Sequence, residues 1–179
     1  MTPQEYSLLT RLVSGCASWN NYSKTLITNP QIVNISNFAG LYDQTTQTNV
    51  VPNSPNVVAI GQTEYSNGIS VAKGNQITFS NSGAYLINFL GAFSGGGSSA
   101  LVYVWLAVNG VTITNSAYSF YTNNNQVLAN VENVRNFNAG DTLQWYWSSS
   151  GTGMQLSSSP ASGFIPATRS VNITIAQLN

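Results

Sequence analysis

Residues 100–113 read ALVYVWLAVNGVTI. Taken with a period of two, Val102, Val104, Leu106 and Val108 fall on one face and Leu101, Tyr103, Trp105 and Ala107 on the other. A β-strand points successive side chains to opposite faces, so a run apolar on both must be covered on both. The interior of the chain's own domain covers one face. A second copy of the chain is the expected cover for the other. Asn109–Gly110 ends the run and residues 111–113 resume it. Asn-Gly between apolar runs is the strongest short-range hairpin signal, because both residues tolerate positive φ. The expectation is a β-sandwich subunit with one sheet facing a partner.

The chain has 179 residues, enough for one domain with a real core and short for two large ones. Charged residues make up 6% of it, against about 25% in an ordinary soluble chain. Polarity comes instead from Asn, Ser, Thr and Gln, and asparagine alone outnumbers all charged residues together. Such a surface is hydrated but has no electrostatic repulsion to hold copies apart. That suits a particle component or oligomer, with an extracellular adhesin as the alternative. The five basic residues are scattered, and phosphate backbones require a clustered positive field, so nucleic acid is not an expected partner. No run reaches the roughly 18 apolar residues of a membrane span. The opening MTPQEYSLLTRL has no basic stretch before a long apolar core, so no secretory leader is expected. Cys16 stands alone, which rules out an intrachain disulfide framework. Synthesis in a reducing cytoplasm follows.

The first 38 residues differ from the rest. Leu8, Leu9, Leu12 and Val13 are spaced for one face of a short helix after Thr2–Pro3. The segment is too small for a core of its own and reads as a docking or anchoring arm, with those four residues as anchor candidates. From Phe38 a β pattern takes over. Residues 40–51, GLYDQTTQTNVV, predict an exposed or edge strand, and Tyr65, Asn67 and Gly68 a turn. Residues 84–93 are again apolar on both parities, which predicts a place close to residues 100–113. The glycine-rich link between them, residues 95–99, lacks the following helix that a phosphate cradle needs. Residues 118–121, YSFY, and 126–134 predict further strands. In residues 142–148, TLQWYWS, Leu143, Trp145 and Trp147 share one face. Met154 and Leu156 mark a short strand between loops. Residues 170–178 give the cleanest half-buried strand, with Val171, Ile173 and Ile175 inward. Many short strands with Gly, Asn, Ser and Pro turns and almost no helix argue an all-β sandwich or barrel.

Three stretches carry a likeness. FSNSGAY at residues 79–85 sets a Gly before an aromatic between two strands, VWLAVNG at 104–110 is a central strand ending in Asn-Gly, and FNAGDTL at 137–143 enters a late strand through Gly-Asp. Together they resemble the C1q/TNF-like jelly-roll domains of phage and large-virus virion proteins. The resemblance spans residues 40–178 and implies a jelly-roll β-sandwich packed as a tight homotrimer. It divides the chain into an arm, residues 1–39, and a head, residues 40–179. It further implies a virion location after assembly in the host cytoplasm, as a minor capsid, decoration or fibre-head subunit attached to other capsid or tail proteins by the arm. Leu86, Tyr103 and Trp105 are the candidates for the trimer contact, since aromatics are favoured in buried interface cores.

Catalytic chemistry is sparse. The chain has no histidine, and Cys16 has neither a His partner nor a second Cys. The carboxylates are Glu5, Asp43, Glu64, Glu132 and Asp141. Glu64 with Glu132 is the pair singled out for acid–base work, as neighbours in the fold, though nothing in their spacing requires it. Alternating calcium-ligand carboxylates are missing. No enzyme activity, metal or cofactor is expected. The alternative function is a virion adhesin or receptor-binding head that recognises host surface glycan, with Tyr118, Tyr121 and Tyr146, set among Asn and Gln, as contact candidates.

Overall fold

The computed structural model describes residues 37–95, 99–123 and 125–178. The anchor candidates Leu8, Leu9, Leu12 and Val13, together with Cys16 and residues 96–98 of the glycine-rich link, lie outside them. Among the described residues fourteen strands run in order: β1 (Phe38–Asp43), β2 (Gln47–Thr48), β3 (Asn56–Val57), β4 (Gln62–Asn67), β5 (Ile69–Ala72), β6 (Gln76–Phe79) and β7 (Gly83–Gly95). Then come β8 (Leu101–Val108), β9 (Val111–Thr112), β10 (Tyr118–Tyr121), β11 (Val127–Phe137), β12 (Thr142–Ser149), β13 (Met154–Leu156) and β14 (Val171–Leu178).

They form two seven-stranded sheets. In the first, β7 is flanked by β11 along one side and by β14 and β13 along the other, and β14 continues through β1 to β4. In the second the order is β10-β8-β12-β6-β5, with β9 on β8 and β3 on β12. Every pairing is antiparallel. This is the all-β sandwich that the alternating strands predict.

The core lies between the sheets. From the first, Tyr85, Ile87, Phe89 and Phe93 of β7 point inward with Ile173 and Ile175 of β14 and Val131 of β11. From the second come Val102, Val104 and Leu106 of β8 with Leu143, Trp145 and Trp147 of β12. Rings cross between the layers: Phe89 meets Trp145 at 4.8 Å between centroids and Phe93 meets Trp147 at 5.5 Å. At one end Phe79 stacks on Phe137 at 3.9 Å.

Three expectations are corrected. The two doubly apolar strands, β7 and β8, do not lie side by side; they belong to opposite sheets. Each has one face in the common core, and their outer faces point away from each other. Residues 40–51 make an edge strand only in part, at β2, which ends the first sheet beside β13. β1 is internal, between β14 and β4, and ends at Asp43. Its buried polar end is satisfied locally, since Asp43 accepts hydrogen bonds from the Thr45 amide, at 2.6 Å, and the Thr45 hydroxyl. The edge beyond β1 is β4, which includes the predicted turn residues Tyr65 and Asn67 and exposes all six side chains, so it has no periodicity to read. Tyr65 lies across Gly40 of β1, where a Cβ would come within 2.5 Å of the ring.

The Asn-Gly turn is as the sequence predicts. Asn109 and Gly110 have φ of 52° and 77°, and Val108 pairs with Val111. Asn109 also reaches the turn before β12. Its amide nitrogen donates to Asp141 Oδ1 at 2.8 Å, and its oxygen accepts from the Thr142 amide at 2.8 Å. The Asn138 amide donates to the other Asp141 oxygen at 2.8 Å. The bond from Asn109, and then that from Asn138, holds the Asp141 carboxyl below its ordinary value of 3.8. A carboxylate lowered in the folded state adds stability above its unfolded value and loses it as pH falls through the folded one. Asp141→Ala should therefore lower the denaturation midpoint at neutral pH, with the gap to the parent narrowing as pH is taken below 3.8. Urea titrations at a series of pH values measure this.

Gly91 makes room for the ring layer. A Cβ there would come within 2.8 Å of both Phe89 and Phe93 and 2.9 Å of Leu156. Gly91→Ala should cost about 1–3 kcal/mol by overpacking, read as a lower denaturant midpoint with an unchanged slope.

Candidate functional site

With the core faces accounted for, two outward faces remain. On the second sheet, Tyr103 and Trp105 project outward from β8, and the register sets Ser148 opposite Tyr103 and Tyr146 opposite Trp105. The Trp105 and Tyr146 rings lie almost parallel, at 17° and 5.8 Å between centroids. Beside them the chain leaves β9 and forms a wall, residues 113–117. Between this wall and the sheet is a groove of about 370 Å³, lined by Tyr103, Trp105, Thr112, Thr114, Asn115 and Ser148 among others.

The wall is pinned by Ser116, which is 1% exposed. Its hydroxyl accepts from the Leu106 amide at 3.1 Å and donates to the Ile113 carbonyl at 2.9 Å. The Ile113 amide donates in turn to the Leu106 carbonyl at 2.9 Å. Neither Ser116 nor the TITNS stretch, residues 112–116, stands out in the sequence from an ordinary loop. Their one signal is a run of hydroxyl and amide side chains directly after a hairpin.

The face of the first sheet is different. Leu86 and Leu90 project outward from β7, with Val134 of β11 and Ala176 of β14 on either side of Leu86. Between the leucines Asn88 donates to Asn130 at 2.8 Å. Leu128 and Val134 on β11 are 65% and 59% exposed. Among the described residues β11 pairs only with β7, so its other side is an open strand edge. Opposite it, Tyr118 of β10 reaches across the gap between the sheets and donates to the Glu132 carbonyl at 3.4 Å. The inward residues of β11 there change from Ala129 and Val131 to Asn133 and Arg135. Asn133 Nδ2 and Arg135 Nε are buried with no hydrogen-bond partner among the described residues.

The predicted contact residues thus separate. Leu86 is on one outer face, and Tyr103 and Trp105 on the other. The predicted glycan residues separate too. Tyr118, in register with the buried Val104, closes the sandwich edge, whereas Tyr121 and Tyr146 share the outer face of Tyr103 and Trp105. Glu64 and Glu132 do not meet: they stand on β4 and β11, at opposite edges of the first sheet. Four strand spacings put them about 19 Å apart. Glu64 is instead paired with Arg169 at 2.9 Å, and that guanidinium lies 4.0 Å over the Tyr42 ring. Among the described residues no helix is long and apolar enough to cross a membrane.

No family model matches the sequence, and a search of curated proteins finds no match. Solved structures do match in shape. Murine APRIL at pH 8.5 superposes with a TM-score of 0.52 at 12% identity, over 79% of this chain and 98% of that one. A second crystal structure of murine APRIL, at pH 8.0, gives 0.53 at 14%, over the same shares. PRD1 vertex protein P5 gives 0.49 at 14%, over 81% of this chain and 99% of its own. The fold is a C1q/TNF-like jelly roll, as the three motifs imply.

Ser116→Ala should cost about 1–3 kcal/mol, because the Leu106 amide is left buried without the serine oxygen. Equilibrium unfolding checks the loss. Near-ultraviolet circular dichroism should register the released wall through Trp105.

Proposed function

We propose that this chain is a non-enzymatic virion structural protein, a homotrimeric minor capsid, decoration or fibre-head subunit. Residues 1–39 attach it to other capsid or tail proteins. The observation that supports this most is the outer face of the first sheet. On the β7–β11 part of that face Leu86, Leu90, Leu128 and Val134 are set around the Asn88–Asn130 pair with Glu132 as the one charged side chain, on a chain whose charged residues are only 6% of the total. Exposed aliphatic side chains grouped on one sheet face favour burial against another subunit. The three motifs that resemble virion jelly-roll domains support both the setting and the number three.

Of the three contact candidates, Leu86 is the one whose surroundings favour self-association. A cyclic trimer joins two different patches of each subunit. The open edge of β11, beside the Leu86 face, is the natural second patch.

Light scattering on the full chain should give three times the 19.1 kDa chain mass. Leu86→Glu should reduce it, because an unpaired charge would be buried in an apolar contact. A parent that stays at one chain mass overturns the reading. Removing residues 1–38 should leave an oligomeric head that no longer enters particles. Normal incorporation of that truncation would refute the anchoring role.

A further inference from the structure

We infer that the groove beside Tyr103 and Trp105 is a binding site for a neutral saccharide. This goes beyond the structural role and does not depend on it.

The argument starts from what lines the groove. Its floor is aromatic, Tyr103 being 38% exposed and Trp105 half-buried. Its sides combine hydroxyls and an amide, from Thr112, Thr114, Ser148 and Asn115, with the apolar Ile113 and Ala117. An aromatic ring offers an apolar, electron-rich face, and such rings are favoured where one side of a ligand is apolar and the other wet. A pyranose is built that way, with C–H groups on its flat faces and hydroxyls around its rim. The 370 Å³ volume falls within the range of small-ligand sites, about 300–1,000 Å³.

Two further observations select the ligand class. None of the groove's lining side chains is charged. An ionic ligand would lose hydration there without a counter-charge, whereas a neutral sugar exchanges water for hydroxyl and amide partners. The aromatic geometry also argues against a quaternary ammonium group. Cation recognition encloses the ligand in rings set around it, and here the described lining has only two rings, Tyr103 and Trp105, both on β8, with Trp105 stacked on Tyr146 outside the lining.

The site is also preformed. The Ser116 hydroxyl accepts from the Leu106 amide and donates to the Ile113 carbonyl, which fixes the wall to β8 and closes its bend, and Trp105 is held against Tyr146 on the central strands of the sheet. A ligand entering it orders little of the protein, which lowers the cost of binding.

The test uses the full chain and an array of neutral hexose and N-acetylhexosamine disaccharides, with choline as control. The strongest array ligand is then titrated by tryptophan fluorescence and by saturation-transfer NMR. At least one disaccharide should bind, with transfer concentrated on the C–H groups of one sugar face. Trp105→Ala and Tyr103→Ala should each weaken binding at least tenfold while the oligomer mass stays that of the parent. Thr114→Arg fills the groove from an exposed wall position and should abolish binding without touching the sheet. Tyr121→Ala, outside the groove, should leave it unchanged. The inference is overturned if no disaccharide binds, if choline binds in their place, or if Thr114→Arg binds as the parent does. A drop in oligomer mass with Trp105→Ala also overturns it, since that would make the face a subunit contact.

Discussion

The two indoles of β12 against the two phenyl rings of β7 hold the sheets at a common distance, and the rest of the molecule is arranged around that contact. Sheets in a sandwich stand about 10 Å apart, so rings from both must interleave within one layer. Phe89 with Trp145 and Phe93 with Trp147 do this, and Gly91 between the phenylalanines leaves the space. Burying one such side chain removes about 150–250 Å² from water, worth roughly 4–6 kcal/mol at about 25 cal/mol per Å². The indole N–H groups of Trp145 and Trp147 have no hydrogen-bond partner among the described residues. An unmatched donor costs about 1–3 kcal/mol, less than the burial gains, so the ring layer stays favourable without them.

With the core fixed in this way, each sheet is left with an outer face of its own character. The first sheet turns out aliphatic side chains and an open strand edge. The second turns out rings beside a pinned wall of hydroxyl and amide groups. A flat aliphatic face suits another protein surface, and a walled aromatic groove suits a small polar molecule. The two faces therefore differ in chemistry and do not share area.

Much of this was legible in the sequence where a strand is central. Alternation in residues 142–148 and 170–178 identified the core-facing side of β12 and β14 correctly, because both strands are flanked on each side and set polar residues between the apolar ones. Legibility failed at edges and at shared faces. β4 has no buried parity, so Tyr65 and Asn67 looked like a turn. Residues 84–93 and 100–113 are apolar on both parities, and one-dimensional pattern cannot tell neighbours in a sheet from partners across a core. The groove was half visible: Tyr103, Trp105 and Tyr146 were singled out, but for two different purposes. Only the register of β8 with β12 places them together. Ser116 gave no pattern at all, since its role is to bond backbone groups ten residues earlier in the chain.

The position of β14 has a consequence for how the molecule comes into being. It is the last strand made among those described, yet it lies between β7 and β1 in the first sheet. Until it emerges from the ribosome, those two strands have no common neighbour and the aromatic layer has an unroofed side. Contacts this distant in sequence must overcome loop-closure entropy before they are rewarded. Folding of the head therefore waits for translation to pass residue 178, and the half-made sheet spends that interval with strand edges exposed to other nascent chains.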